Sequence, residues 1–108
     1  MARETEARIV LVTCASRQEA RKIAKEVVGE KLAACVNVIS ASLQSIYRWK
    51  GKVETATEFL LIIKTTTGRL DALEKKVLRL HSYDVPEFLV LNVAGGSKAY
   101  LKWLGEII

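Results

Sequence analysis

Residues 53–66 constrain the fold most, because apolar side chains fall on both sides of an extended backbone there, with Phe59, Leu61 and Ile63 on one side and Leu60 and Ile62 on the other. A strand of this kind belongs in a sheet, and both of its faces need a cover. The preceding residues 43–50 alternate well enough to be strand, and Gly51 marks the turn between the two. The result is a long hairpin whose longer arm reaches about 45 Å at roughly 3.3 Å per residue. Its far end, residues 47–52, outruns the other strands and is expected to pair with another subunit. A homo-oligomer follows from that overhang.

The remaining elements fall on either side of the hairpin. Residues 9–13 are a short β-rich apolar run and read as the first strand. Ser16 and Glu19 form an S-x-x-E capping box, so a helix starts there. Ala20, Ile23, Ala24, Val27 and Val28 make its apolar stripe, and Gly29 is expected to close it in the left-handed conformation. Residues 32–39 read as the second strand. After the hairpin, residues 65–67 offer an N-cap to a second amphipathic helix carrying Leu70, Leu73, Val77 and Leu80. Residues 87–93 read as the last strand, and Ser97 caps a short terminal helix bearing Tyr100, Leu101, Trp103 and Leu104.

The order β-α-β-β-α-β is the ferredoxin-like α+β arrangement, an antiparallel sheet with two helices on one face, here followed by a short C-terminal helix. The 108 residues are expected to form a single domain, 1–108. Half of them are apolar, and no uninterrupted apolar run is longer than residues 59–63, far below the roughly 20 residues of a membrane-spanning helix. The first eight residues mix charges and lack the pattern of a secretory signal, which leads to a cytoplasmic expectation. A net charge of +5 attracts polyanions only weakly.

Several separate stretches carry a resemblance: residues 12–15 (Val-Thr-Cys-Ala), 30–37 (Glu-Lys-Leu-Ala-Ala-Cys-Val-Asn), 45–47, 49–52 (Trp-Lys-Gly-Lys), 63–65, 81–87 (His-Ser-Tyr-Asp-Val-Pro-Glu) and 100–103. Together they resemble the divalent-cation tolerance family CutA, in the same order and with nearly the same spacing. The resemblance implies a ferredoxin-like subunit in a homotrimer built like the PII signalling proteins. It also implies binding of divalent metal ions, copper ahead of zinc, with no catalytic reaction and no metal requirement for folding. Two positions depart from the family pattern: Ser82 stands where a proline is usual, and residues 40–44 replace a Pro-Gly-like bend with a slightly longer one.

Thiolates and imidazole suit copper and zinc, which makes Cys14, Cys35 and His81 the soft donors of the chain. Glu87, or Asp84, is the carboxylate that would complete such a set. Each residue also has a plainer role. Cys35 lies within an apolar strand and reads as a small core residue. Cys14 precedes a helix N-terminus, where the dipole is expected to lower its thiol pKa. His81 fits a C-cap after the second helix. Pro86 holds Val85 extended and is expected to start the last strand. Tyr47, Trp49, Tyr83 and Trp103 read as subunit-interface anchors; alternatively they line a cleft for a small anion, with Lys64 and Arg48 supplying charge.

Two other functions carried by this topology lose on residues. RNA-recognition modules need stacking aromatics on the third strand, and residues 58–64 read Glu-Phe-Leu-Leu-Ile-Ile-Lys. Acylphosphatase-type catalysis needs a glycine-rich anion loop after the first strand, and residues 14–17 contain none. A PII-like sensor or scaffold, holding a small anion or a protein partner at the subunit clefts, is the alternative to metal binding.

Overall fold

The computed structural model describes residues 5–108. Five strands and three helices run in the order β1 (Ala7–Cys14), α1 (Arg17–Gly29), β2 (Cys35–Val38), β3 (Leu43–Trp49), β4 (Lys52–Thr66), α2 (Leu70–Leu80), β5 (Leu89–Asn92) and α3 (Lys98–Ile107). Strand order is β2-β4-β1-β5, with β3 also paired to β4, and every pairing is antiparallel. This is the α+β ferredoxin-like arrangement read from the sequence.

β4 organises the sheet because it is long enough to serve three neighbours. Its second half pairs with β1 from Phe59 to Thr66 and with β2 from Leu61 to Lys64. Its first half pairs only with β3, from Trp49↔Lys52 to Leu43↔Glu58. The β3–β4 hairpin therefore projects past the end of β1, and the molecule measures 43 Å along its longest axis. Lys50 and Gly51 turn the hairpin with φ of 49° and 78°. Both values lie in the left-handed region that a two-residue hairpin loop with matching twist requires.

Cross-strand partners share a face, so the register sorts the side chains. Val10, Val12, Cys14, Leu61 and Ile63 meet Ala20, Ile23, Val27, Leu73 and Val77 of α1 and α2 in the main core, all but fully buried. Thr65 belongs to this buried face too, and its hydroxyl donates to the Leu32 carbonyl at 2.7 Å. The opposite face carries Ile9, Leu11, Leu60 and Ile62, half-buried, and Leu89 and Leu91, exposed by 55% and 45%. α3 packs Leu104 against Ala7 and Ala34 in a second, small cluster. The rest of that apolar face has no cover among the described residues.

Several local expectations change. Ser16 caps α1, its hydroxyl accepting from the Glu19 N–H at 3.1 Å, but the Glu19 carboxylate turns to residues 81–82 instead of returning to Ser16. Gly29 remains inside α1; the left-handed residue is Lys31, with φ of 59°. None of residues 65–67 supplies a side-chain cap to α2, which is entered through a 3₁₀ turn over Thr67–Arg69. The last strand begins at Leu89, three residues after Pro86. Ser97 does cap α3, accepting from the Tyr100 N–H at 3.2 Å.

Candidate metal centre

Three chain ends meet at one corner of the main core. β1 delivers Cys14 at its last residue, with no exposed surface. The first turn of α1 supplies Glu19. α2 ends at His81, whose backbone N–H donates to the Val77 carbonyl as the C-cap and whose ring is buried. The donor atoms of Cys14, Glu19 and His81 lie within 4.8 Å of one another.

The His81 ring is held from both sides. Nε2 sits 2.7 Å from the Thr13 carbonyl, which can only accept, so Nε2 carries the proton in that bond. Nδ1 accepts from the Tyr83 N–H at 3.1 Å and lies 3.4 Å from Glu19 Oε1. The Tyr83 ring leans on the imidazole with centroids 4.7 Å apart. Glu19 accepts from the Ser82 backbone N–H at 3.0 Å and from the Ser82 hydroxyl at 2.7 Å. Both bonds fasten the loop after α2 to the start of α1.

Cys14 shows which electrostatic effect wins. The sequence placed it before a helix N-terminus and so expected a lowered pKa. Its thiol is instead pushed up from 9.0 to about 12, first by burial and then by the carboxylates of Glu19 and Glu58. Removing water from a thiolate outweighs a dipole contribution of roughly 0.3–1 kcal/mol. Below pH 9 the thiol is protonated in both the folded and the unfolded chain. As pH rises from 9 towards 12, the unfolded thiol loses its proton while the folded one keeps it, so stability falls by about 1.4 kcal/mol per pH unit. Denaturant titrations at about pH 8 and 10 are therefore expected to show about 1 kcal/mol more alkaline loss in the native chain than in Cys14→Ala. Equal losses would contradict the burial of that proton.

Thiol, carboxylate and imidazole suit a borderline or soft divalent ion. Metal–ligand distances of about 2.0–2.3 Å put the ligand atoms of a tetrahedral site about 3.5 Å apart. The cluster, within 4.8 Å, needs to contract by about 1 Å. Cys14, Glu19 and His81 would supply three ligands, one fewer than a closed structural site uses. A metal held there would take His81 Nδ1 in place of the Tyr83 N–H and would need the Cys14 thiol to give up its proton.

The other residues singled out by the sequence lie elsewhere. Cys35 starts β2 opposite Lys64, while Cys14 pairs with Phe59. Five residues along β4 separate those partners, so the two cysteines occupy opposite faces of the sheet. Cys35 is half-buried, and both thiols are free. Glu87 and Asp84 line a separate cleft of about 740 Å³ beyond the end of β1, shared with Glu58, Tyr83, Tyr47 and Trp49. There the Tyr83 hydroxyl donates to Glu58 Oε2 at 2.8 Å, and burial together with the Glu58 charge raises the Glu87 carboxyl pKa. Lys64 and Arg48 do not line this cleft; the Lys64 ammonium hydrogen-bonds the Asn37 side chain. Tyr47, Trp49 and Trp103 are exposed by 44%, 47% and 42%, and Tyr83 is half-buried.

Glu19 is the residue that sequence reasoning assigned elsewhere. Its spacing from Ser16 pointed to a capping box, and no sequence periodicity links position 19 to position 81. Only the packing of α1 beside α2 joins them.

Comparison with known proteins covers nearly the whole chain. The family profile described as CutA1 divalent ion tolerance protein matches residues 8–107. The divalent-cation tolerance protein CutA of Thermus thermophilus is 49% identical over 98 residues, covering 91% of this chain and 94% of that protein. The chloroplastic CutA protein of Arabidopsis thaliana is 47% identical over 96 residues, and there the match spans 89% of this chain but only 52% of the relative. The solved structure of the periplasmic divalent cation tolerance protein CutA of Archaeoglobus fulgidus superposes with a TM-score of 0.89 at 36% identity, covering 94% of this chain and 97% of that one. The chain belongs to the CutA1 divalent ion tolerance family.

Proposed function

We propose that this chain is a homotrimeric cytoplasmic protein that binds divalent metal ions of the copper type and serves divalent cation tolerance without catalysing a reaction. The convergence of Cys14, Glu19 and His81 at one buried corner carries the metal reading. The tolerance role is supported by the names of its relatives. Cys35 and Glu87, on the opposite sheet face and in the neighbouring cleft, would serve as ligands only in a second site completed by another subunit. Zinc is the second candidate metal. Folding does not call for the ion, because the core is continuous and Thr13, Ser82 and Tyr83 already satisfy the imidazole and the carboxylate.

The uncovered apolar face and the projecting β3–β4 hairpin support self-association, with Tyr47, Trp49, Tyr83 and Trp103 as anchors. Three copies follow the design of PII-like trimers. Free thiols suit a reducing compartment, which supports the cytoplasm. The alternative of a small anion at the subunit clefts has less support, because the cleft beyond β1 is lined by Glu58, Asp84 and Glu87 and, among the described residues, by no cation.

Calorimetric titration with Zn(II) and Cu(II) tests the metal reading. The native chain is expected to bind one ion per subunit, and His81→Ala and Cys14→Ala are each expected to weaken binding at least about tenfold, 1.4 kcal/mol. Metal heat that both substitutions leave unchanged contradicts the assignment.

A further inference from the structure

On the far side of α1 from the metal corner, a groove of about 550 Å³ runs between the helix and β2. That volume falls within the roughly 300–1,000 Å³ of small-molecule sites. Arg17, Arg21 and Lys25 follow one another at four-residue intervals along its rim, spanning about 12 Å at 1.5 Å per residue. Ala24, Val28, Val36 and Val38 form an apolar floor, and among the described residues no carboxylate lines it. Val28 continues the apolar stripe of α1, yet it is 39% exposed over this groove.

The charges of α1 are segregated by the packing. Glu19 is drawn to Ser82, and Glu26 and Glu30 are drawn to Lys76, whose Nζ lies 2.6 Å from Glu30 Oε2. Of the α1 cations, Arg17, Arg21 and Lys25 line the groove and Lys22 does not. Arg17 is fixed, its Nε donating to the Ser40 carbonyl at 3.1 Å and its guanidinium lying 5.2 Å from the centre of the Phe59 ring. Arg21 and Lys25 have no ion-pair or hydrogen-bond partner among the described residues. The groove is therefore polar at the Arg17–Ser40 mouth and apolar towards Val28, Gly29 and Val36.

We infer that this groove binds a small amphiphilic anion, with its carboxylate or phosphate head between Arg21 and Lys25 and its apolar body along Val28, Gly29 and Val36. An apolar floor alone would accept any oily molecule. The two unpaired cations one helical turn apart select the sign of the head. Gly29 offers a clean way to close the site: a Cβ there meets nothing within 4 Å, and its backbone is not left-handed. A leucine at this position fills the apolar end and is a better helix former than glycine.

The test titrates the native protein with decanoate, decyl phosphate and decyltrimethylammonium, followed by calorimetry and by amide chemical shifts of α1 and β2. At least one of the two anions is expected to bind, shifting residues 21–29 and 36–38, and the ammonium compound at least about tenfold more weakly. Binding of only one anion supports the site and identifies its head group. Arg21→Glu with Lys25→Glu, and separately Gly29→Leu, are each expected to weaken the anion about tenfold or more, the latter without lowering Tm. Failure of both anions to bind, equal binding of the ammonium compound, or anion affinity unchanged in both variants overturns the inference.

Discussion

Ile62→Lys is expected to break the proposed trimer into smaller species and to lower Tm sharply. Ile62 lies mid-strand on the sheet face away from α1 and α2, opposite Leu11 and beside Leu60, and only half-buried within one chain. In an isolated subunit a lysine there would lift its ammonium into water along its own flexible stem and cost little. Against the matching face of other copies it would bury an unpaired charge, which costs several kcal/mol. The effect thus depends on whether the face is covered. Leu78→Lys, on the exposed side of α2, is the control and is expected to stay within about 0.5 kcal/mol of native. Sedimentation and thermal melts of the two variants check this. An Ile62→Lys protein with unchanged mass and Tm would mean that the face is open to water.

Glu19→Gln is expected to cost metal affinity more than it costs stability. The amide oxygen still accepts from the Ser82 N–H, so the loop after α2 stays attached to α1, but the negative charge beside His81 Nδ1 is gone. Binding of Zn(II) should fall about tenfold or more, while unfolding free energy falls by about 1 kcal/mol or less. Glu19→Ala removes the acceptor as well. It leaves the exposed Ser82 N–H and hydroxyl to water and is expected to lose about 0.5–1 kcal/mol further. Calorimetry paired with denaturant melts separates the two effects. If Gln binds metal as well as Glu, the carboxylate serves only to hold the loop.

The elements whose apolar pattern is local were readable from sequence. The helices at residues 17–29 and 70–80 announce themselves by their stripes, the Ser16 and Ser97 caps by the hydroxyl preceding each helix, and the hairpin by Gly51 between alternating arms. What was missed depends on partners distant in the chain. Glu19 has the right spacing for a capping box, but Ser82 offers two donors and draws its carboxylate away. Gly29 looked like a left-handed terminator, yet it is the last residue of the helix and Lys31 takes that backbone. The strand after Pro86 starts late because pairing with β1 begins only at Leu11↔Leu89.

The site was half legible for the same reason. Cys14 and His81 were singled out as soft donors, and the structure brings them together. Cys35 could not be placed, since which face of a strand a residue occupies follows from register, and a shift of one residue reverses it. The pKa of Cys14 went the opposite way from its helix-dipole expectation because burial is set by the whole core packed around it.

Light scattering on the native protein at micromolar concentration is the most direct test, since the proposed trimer is what would cover the apolar sheet face and engage the projecting hairpin. It should report a particle of three times the 12.0 kDa chain mass that persists on dilution. A folded single subunit at that concentration would contradict it.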